Sequence, residues 1–364
     1  MANNKYRDTA IVIAFPDNWA KGEKLRDRLL VSLNITYTPY YKVGHAALIL
    51  IQKKSGLVEY FDYGRYISPP KKGRVRSKDT DPKLYIPVQA SFDKSGNVTN
   101  AFEIMHYLAS IKEATHGHGT TYFSICRDID FERGKAFVNE SIKKGSIPYV
   151  TWGAKGMNCS SFVVKTLLQA LRPGIKRKKL TLSLLSAPTP LANVYTASDK
   201  GSVWRLKDRK IERIYLDRLR VLKMSWRNLK LSLRKNKHLL NTINVFEKHG
   251  DHAPIQLPGK AQFLESLGES CWMHIYRESQ LEPDHFIIES YSENHTLNYS
   301  ILAKLQEGCL RLDAPYEFDY VCNKLITTLI QDNKRCTLSF VGYTPRHHVY
   351  YPNNNLFHTK QQQL

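Results

Sequence analysis

The chain has 364 residues, 42% apolar and 11% aromatic, which supplies enough packing surface for folded cores and excludes a disordered chain. The length exceeds one average domain, so two are expected, while six scattered cysteines exclude a paired disulfide framework and no apolar run is long enough to span a bilayer as a helix. A formal charge of +21 points to an anionic partner (nucleic acid, acidic lipid or another polyanion), against the plainer reading of a solvated basic surface.

Residues 10–15 form a continuous apolar run that predicts a buried strand. The run is too short for a signal-peptide core and ends at Pro16, so the sequence predicts a cytoplasmic protein. Residues 21–33 place Leu25, Leu29 and Leu30 at helical spacing. Two apolar runs, 44–51 and 57–63, surround Lys53-Lys54-Ser55-Gly56 and predict a β-hairpin that His45 opens. An even-numbered loop brings Asp62 to the His45 face; an odd-numbered one brings Glu59 there instead. Asp62 is preferred, because a carboxylate near the strand end can orient an imidazole and stabilise its charged form. The competing reading pairs Asp62 with nearby Arg65.

Residues 65–83 read as a basic connector, 84–92 as an alternating strand, 100–115 as a helix, 120–126 as a strand and 131–144 as a helix. His116-x-His118 sits in a Gly-rich turn with no third ligand at metal spacing, so an exposed turn is expected rather than a metal site.

The stretch from 147 to 164 concentrates the chemistry. It runs from a short aromatic strand, through a two-glycine turn, into a helical pattern of Phe162, Val163, Leu167, Leu168 and Leu171. Asn158 is a good N-cap, which puts Cys159 in the first helical turn. There the unpaired N–H groups and the helix dipole favour negative charge, so a thiol ionises more easily, and the thiolate is the nucleophile. The plain alternative is a buried cysteine with no chemistry.

Pro148-Tyr149-Val150-x-Trp152-Gly153 followed by Asn158-Cys159-Ser160-Ser161-Phe162-Val163 resembles the nucleophile region of NlpC-type papain-like cysteine peptidases. Asn158 stands where that family has aspartate, and Ser161 where it has glycine. The family's Gly-His segment follows its cysteine; here the similar segment, Gly44-His45-Ala46-Ala47, precedes it. That order is similar to the circularly permuted branch, which includes YiiX-type and lecithin-retinol-acyltransferase-like proteins, and the resemblance covers about the first half of the chain. It implies an α+β fold: a permuted papain-like domain with an antiparallel sheet and a nucleophile helix. It also implies a place for Tyr149 at the substrate end of the cleft, and Trp152 of the same motif is assigned with it. In this reading Cys159 attacks an amide or ester carbonyl and His45 is the base. Asp62 orients His45, and the Cys159 N–H helps bind the oxyanion. No metal or organic cofactor is required. Peptide, cell-wall peptide and lipid substrates, and hydrolysis or acyl transfer, remain open; a catalytically silent basic scaffold for nucleic acid or anionic membrane is the alternative.

Arg172-Pro173-Gly174 ends the cysteine helix, and Lys176-Arg177-Lys178-Lys179 is a short basic run. The Ser-, Pro- and Leu-rich residues 181–193 read as a junction between a domain at 1–185 and a second α+β domain at 195–364. Residues 205–240 read as a basic amphipathic helix broken near Ser225, suited to an anionic membrane or to phosphates, or else to packing with a solvated basic face. Beyond it, 271–276, 285–291, 297–302, 309–312 and 337–343 read as strands and 320–331 as a helix. His285 is the rival base for Cys159, since it also opens a strand, but it lacks a preceding glycine. The Gln-rich end is expected to fray.

Overall fold

The run at 10–15 lies inside β1 (Asp8–Phe15), and its lack of alternation has a direct cause: both faces of the strand are covered. Ala10, Val12 and Ala14 pack into one core, Ile11 and Ile13 into another on the opposite side of the sheet. The computed structural model describes residues 6–21, 40–150, 155–185, 188–231, 255–266 and 269–350. The chain divides into two units. The first comprises Met1–Arg65, Pro70–Lys78 and Lys83–Glu247; the second comprises Tyr66–Pro69, Asp79–Pro82 and Lys248–Leu364.

In the first unit β2 (Trp19–Lys21) and β3 (Tyr40–Lys42) form a separate ribbon. The main sheet adds β4 (His45–Ile51), β5 (Val58–Gly64), β6 (Lys72–Arg76), β7 (Thr121–Ile129), β8 (Ile147–Pro148), β9 (Ser202–Lys207) and β10 (Lys210–Tyr215). Its order is β10-β9-β7-β1-β4-β5-β6-β8, with every neighbouring pair antiparallel. The helices are α1 (Ala101–Ser110), α2 (Lys112–Thr115), α3 (Phe131–Lys143), α4 (Cys159–Ala170), α5 (Ile175–Leu185), α6 (Pro190–Ala197) and α7 (Arg218–Leu231). Ile104, Met105 and Leu108 of α1 close one face of the sheet. Val138 of α3, Phe162 and Val163 of α4 and Val194 of α6 close the other. Antiparallel sheets commonly leave one face to water; here layers on both sides explain the fully apolar β1 and β4.

The second unit is an antiparallel sheet of order β11-β12-β13-β14-β17-β16-β15. Its strands are β11 (Gln262–Leu264), β12 (Cys271–Tyr276), β13 (His285–Ser292), β14 (Leu297–Glu307), β15 (Glu317–Cys322), β16 (Ile326–Gln331) and β17 (Lys334–Tyr343), followed by α8 (Pro345–Tyr350). The chain is therefore mixed α and β with antiparallel sheets, and no described helix is long and apolar enough to cross a membrane.

Several local expectations change. The basic helix expected at 205–240 begins only at Arg218. Before it, β9 and β10 form a hairpin around Asp208 and Arg209, whose φ of 49° and 62° match the left-handed turn that joins twisted strands. Pairing of β9 with the edge of β7, Thr121 opposite Leu206, outweighs the helical spacing read there. Residues 232–240 lie outside the described residues, as do 22–39, which include most of the first expected helix, and the Gln-rich end. Residues 320–331, expected as a helix, hold the second half of β15 and all of β16, where Thr327 and Thr328 are buried β-branched strand residues. Residues 84–92 are not a strand: Leu84 and Ile86 are buried, but the backbone follows a 3₁₀ turn, with Ala90 N–H on Gly56 O at 2.8 Å. The supposed connector at 65–83 contains β6. Residues 181–193, expected as a junction, form the end of α5 and the start of α6, with Leu191 and Val194 buried in the first unit's core.

Candidate active site

The hairpin loop between β4 and β5 is even-numbered: Ile51 faces Val58, and Ala47 faces Asp62. That register puts Asp62 diagonally across from His45 on the same face, and His45 Nε2 meets Asp62 Oδ2 at 3.1 Å. Glu59 points to the other face, where it pairs with Lys78 and Lys135 at 3.1 and 2.7 Å. Arg65, the alternative partner for Asp62, lies instead over the Tyr149 ring, 5.1 Å from its centroid.

Asp62 is fully buried and takes donors on every side. Arg76 donates Nε to Oδ1 at 3.0 Å and Nη2 to Oδ2 at 2.7 Å, and the Tyr60 hydroxyl donates at 3.0 Å. Burial works against its charge, but the Arg76 guanidinium and the His45 hydrogen bond outweigh it and hold the carboxyl well below the usual range. Arg76 is itself buried, as planar bidentate pairing permits for arginine. The sequence reading missed Arg76 and Tyr60. The signal available was alternation: Gly73 and Val75 interleave with Arg74 and Arg76, a strand pattern masked by its basic content.

Cys159 is the first residue of α4. The Asn158 side chain accepts from Ser161 N–H at 2.9 Å, and the Ser161 hydroxyl accepts from Asn158 N–H at 2.8 Å, a complete capping box. Asparagine caps as well as the aspartate of the resembled motif while adding no negative charge beside the sulfur. The Cys159 sulfur receives hydrogen bonds from the His45 ring and the Ala46 N–H. With Nε2 of His45 on the carboxylate, Nδ1 is the nitrogen left for the sulfur. Tyr149 also reaches the sulfur with its hydroxyl, stacked against Tyr63 at 5.8 Å. Burial and the nearby sulfur push the Tyr149 phenol well above its ordinary value, so it stays a donor.

The electrostatics separate Cys159 from Cys126, which is also buried in this unit. Burial pushes the Cys126 thiol up to about 11. Burial raises the Cys159 thiol too, but the hydrogen bond and charge of His45 outweigh it and bring the thiol below its usual value. Burial lowers His45, but Asp62 and the Cys159 sulfur more than compensate and lift it to about 9. These opposite shifts favour a thiolate–imidazolium pair at neutral pH.

His116, expected in an exposed turn, is instead partly buried against Arg76, Nη1 to Nε2 at 3.4 Å, and burial and that guanidinium hold its imidazole neutral well below the ordinary range. His118 pairs with Glu113 at 3.4 Å. Among the described residues no His, Cys, Asp and Glu cluster has metal-binding geometry. His285 lies on β13 of the second unit with Nδ1 on Asp284 at 2.7 Å. Trp152 falls outside the described residues.

Two family models match the chain. Residues 10–174 match the model described as type VI secretion system effector TseH-like, and residues 261–341 match the DUF6695 C-terminal domain. Among solved structures, the crystal structure of a type VI secretion system effector, TseH, aligns with 57% of this chain and 97% of its own, at 18% identity and a TM-score of 0.33. No curated protein matches. The stretch similar to the TseH-like effector family is the one that carries His45, Asp62, Tyr149 and Cys159.

Proposed function

We propose that the first unit is a cysteine-dependent hydrolase or acyltransferase acting on an amide or ester, with Cys159 as nucleophile, His45 as acid and base, and Asp62 as the group that orients His45. The observation that carries this reading is a cysteine at a helix N-terminus whose imidazole partner is held on its far side by a buried, arginine-clamped carboxylate. The thiolate attacks the carbonyl carbon, and the C–N or C–O bond breaks as the His45 imidazolium protonates the leaving group. Neutral His45 then removes a proton from water, or from an acceptor hydroxyl or amine, as that group bonds to the thioester carbonyl carbon; the C–S bond breaks, the acyl group leaves and the thiolate–imidazolium pair is restored. The Cys159 N–H at the start of α4 and the Tyr149 hydroxyl are the donors for the oxyanion.

The order of histidine before cysteine fits the permuted papain-like branch. The likeness to an effector family favours a substrate outside the producing cell, cell-wall peptide first, with the protein made in the cytoplasm and then delivered. Trp152 keeps the substrate-binding role that the motif implies for it.

The test uses the full chain with the other five cysteines replaced. Alkylation of Cys159 is followed against pH, alongside release of amines from isolated cell-wall peptide. Rapid alkylation below neutral pH, with amine release lost in Cys159→Ala, is the expected result. A rate that follows an ordinary thiol near pH 8.5 overturns the reading.

A further inference from the structure

Helix α7 presents its apolar residues to water. Leu219, Leu222, Trp226 and Leu229 are 78%, 65%, 59% and 41% exposed, while Val221 is 5% exposed. At about 100° per residue these four fall on one strip of the helix. Arg220, Lys223, Arg227 and Lys230 fall on the adjoining strip, and Val221, Met224 and Asn228 turn toward the core. Asn228 fixes that orientation by donating Nδ2 to Pro16 O at 3.0 Å. The helix contains no acidic residue. An ordinary surface helix buries its apolar strip and solvates its charges; α7 exposes both.

The apolar strip also walls a groove of about 440 Å³, closed on the other side by Pro16, Val43 and Pro190. Val43 is half-exposed and lies two residues from His45. The groove therefore opens beside the first residues of β4, whose ring stacks on Phe15 at 6.2 Å between centroids.

We infer that α7 and its groove are a docking surface for an anionic lipid bilayer. Charge complementarity selects the partner: Asp217, just before the helix, pairs with Arg220 at 3.4 Å, but Lys223, Arg227 and Lys230 carry the positive charge onward and gain from acidic headgroups, at about 1 kcal/mol for each basic residue near the surface. The adjoining leucines and Trp226 select bilayer over nucleic acid, since phosphates alone give exposed aliphatic side chains nothing to enter. Tryptophan beside lysine is typical of the headgroup boundary, and Lys230 Nζ lies over the Trp226 ring at 5.7 Å. A second copy of the chain is disfavoured because symmetric contact would face cation with cation. Docking in this way sets the mouth beside Gly44 and His45 against the membrane plane. It does not depend on the chemistry of Cys159.

The experiment is vesicle flotation of the full chain, with equimolar phosphatidylglycerol and phosphatidylcholine against phosphatidylcholine alone. Binding is expected on the mixed vesicles, falling as salt is raised. Lys223→Glu with Arg227→Glu weakens it by roughly 30-fold or more, and Leu222→Ala with Trp226→Ala by about tenfold or more. These positions are exposed, and unchanged thermal melts confirm that the variants fold. Cys159→Ala binds like the parent, which separates this inference from the proposed reaction. Equal binding to both vesicles, no binding to either, or binding to duplex DNA that Leu222→Ala with Trp226→Ala leaves unchanged while vesicles are ignored, overturns it.

Discussion

Two buried carboxylates, one in each unit, have nearly the same company. Asp62 on β5 meets His45, Arg76 and a tyrosine two residues away, Tyr60. Glu289 on β13 meets His274 at 3.9 Å, Arg346 at 3.2 Å and a tyrosine two residues away, Tyr291. Both carboxylates are fully buried and both are held below their ordinary range, burial opposing and the surrounding donors prevailing. The difference lies beyond the histidine. The far side of His45 meets a thiol at a helix start, whereas the Glu289 cluster has a half-exposed arginine, with Ser300 donating to Glu289 at 3.2 Å. A carboxylate, a histidine and an arginine make a core polar cluster; a nucleophile beside the histidine's other ring nitrogen turns one into a candidate reactive site.

The largest effects expected from that comparison are on reactivity. His45→Ala lowers Cys159 alkylation at pH 6 and any turnover by roughly 10²–10⁴-fold, while His274→Ala leaves both unchanged, as stopped-flow alkylation would show. Asp62→Asn keeps the shape but removes the charge that stabilises the imidazolium, and costs about as much in turnover; Glu289→Gln costs nothing there. If both histidines or both carboxylates matter equally, the distinction between the clusters is wrong.

Stability comes next. Arg76→Leu strands a fully buried carboxylate and lowers unfolding free energy by about 3–5 kcal/mol. Arg346→Leu, at a side chain 42% exposed, costs about 1 kcal/mol or less because water screens that pair. Denaturant melts of the two variants check the ranking. Tyr60→Phe removes a single buried hydrogen bond and costs about 1 kcal/mol by the same measurement.

The pH dependence is the finest probe. Asp62 is lowered in the folded state, so its stabilisation is complete above the unfolded value of about 3.9 and is lost as pH falls below it. His45 is raised to about 9, so its stabilisation is complete below about pH 6.5 and lost as pH rises toward 9. Cys159, lowered, acts in the opposite sense, with stabilisation present above about pH 8.5 and lost as pH falls through its folded value. Where the native pair is ionised and the unfolded pair neutral, each state binds one proton and stability is flat. Above about pH 8.5 the unfolded thiol has also lost its proton, and stability declines toward pH 9. In the chain with the other five cysteines replaced, His45→Ala combined with Cys159→Ala removes that decline in a series of melts from pH 7 to about 9.5, whereas His45→Ala alone keeps it, because burial then holds the proton on the Cys159 thiol; persistence of the decline in the double variant assigns it to another group.

Local signals in the sequence determined much of the first unit's frame. Uninterrupted apolar runs marked the doubly covered strands and Asn158 marked the start of α4, while the choice between Asp62 and Glu59 on the His45 face stayed open until the strand register was known. Both signals depend on spacing within a few residues, which the chain carries in its own periodicity. Tertiary structure decided the rest. It placed Arg76, fourteen residues from Asp62, behind that carboxylate, because β6 pairs with β5 and one basic segment among many became the clamp. It drew residues 202–215 into the sheet, where the open edge of β7 competed successfully with helical spacing. It also left the apolar strip of α7 facing water. Amphipathic spacing shows that a helix has two faces, but only the packing around it decides which face meets the core.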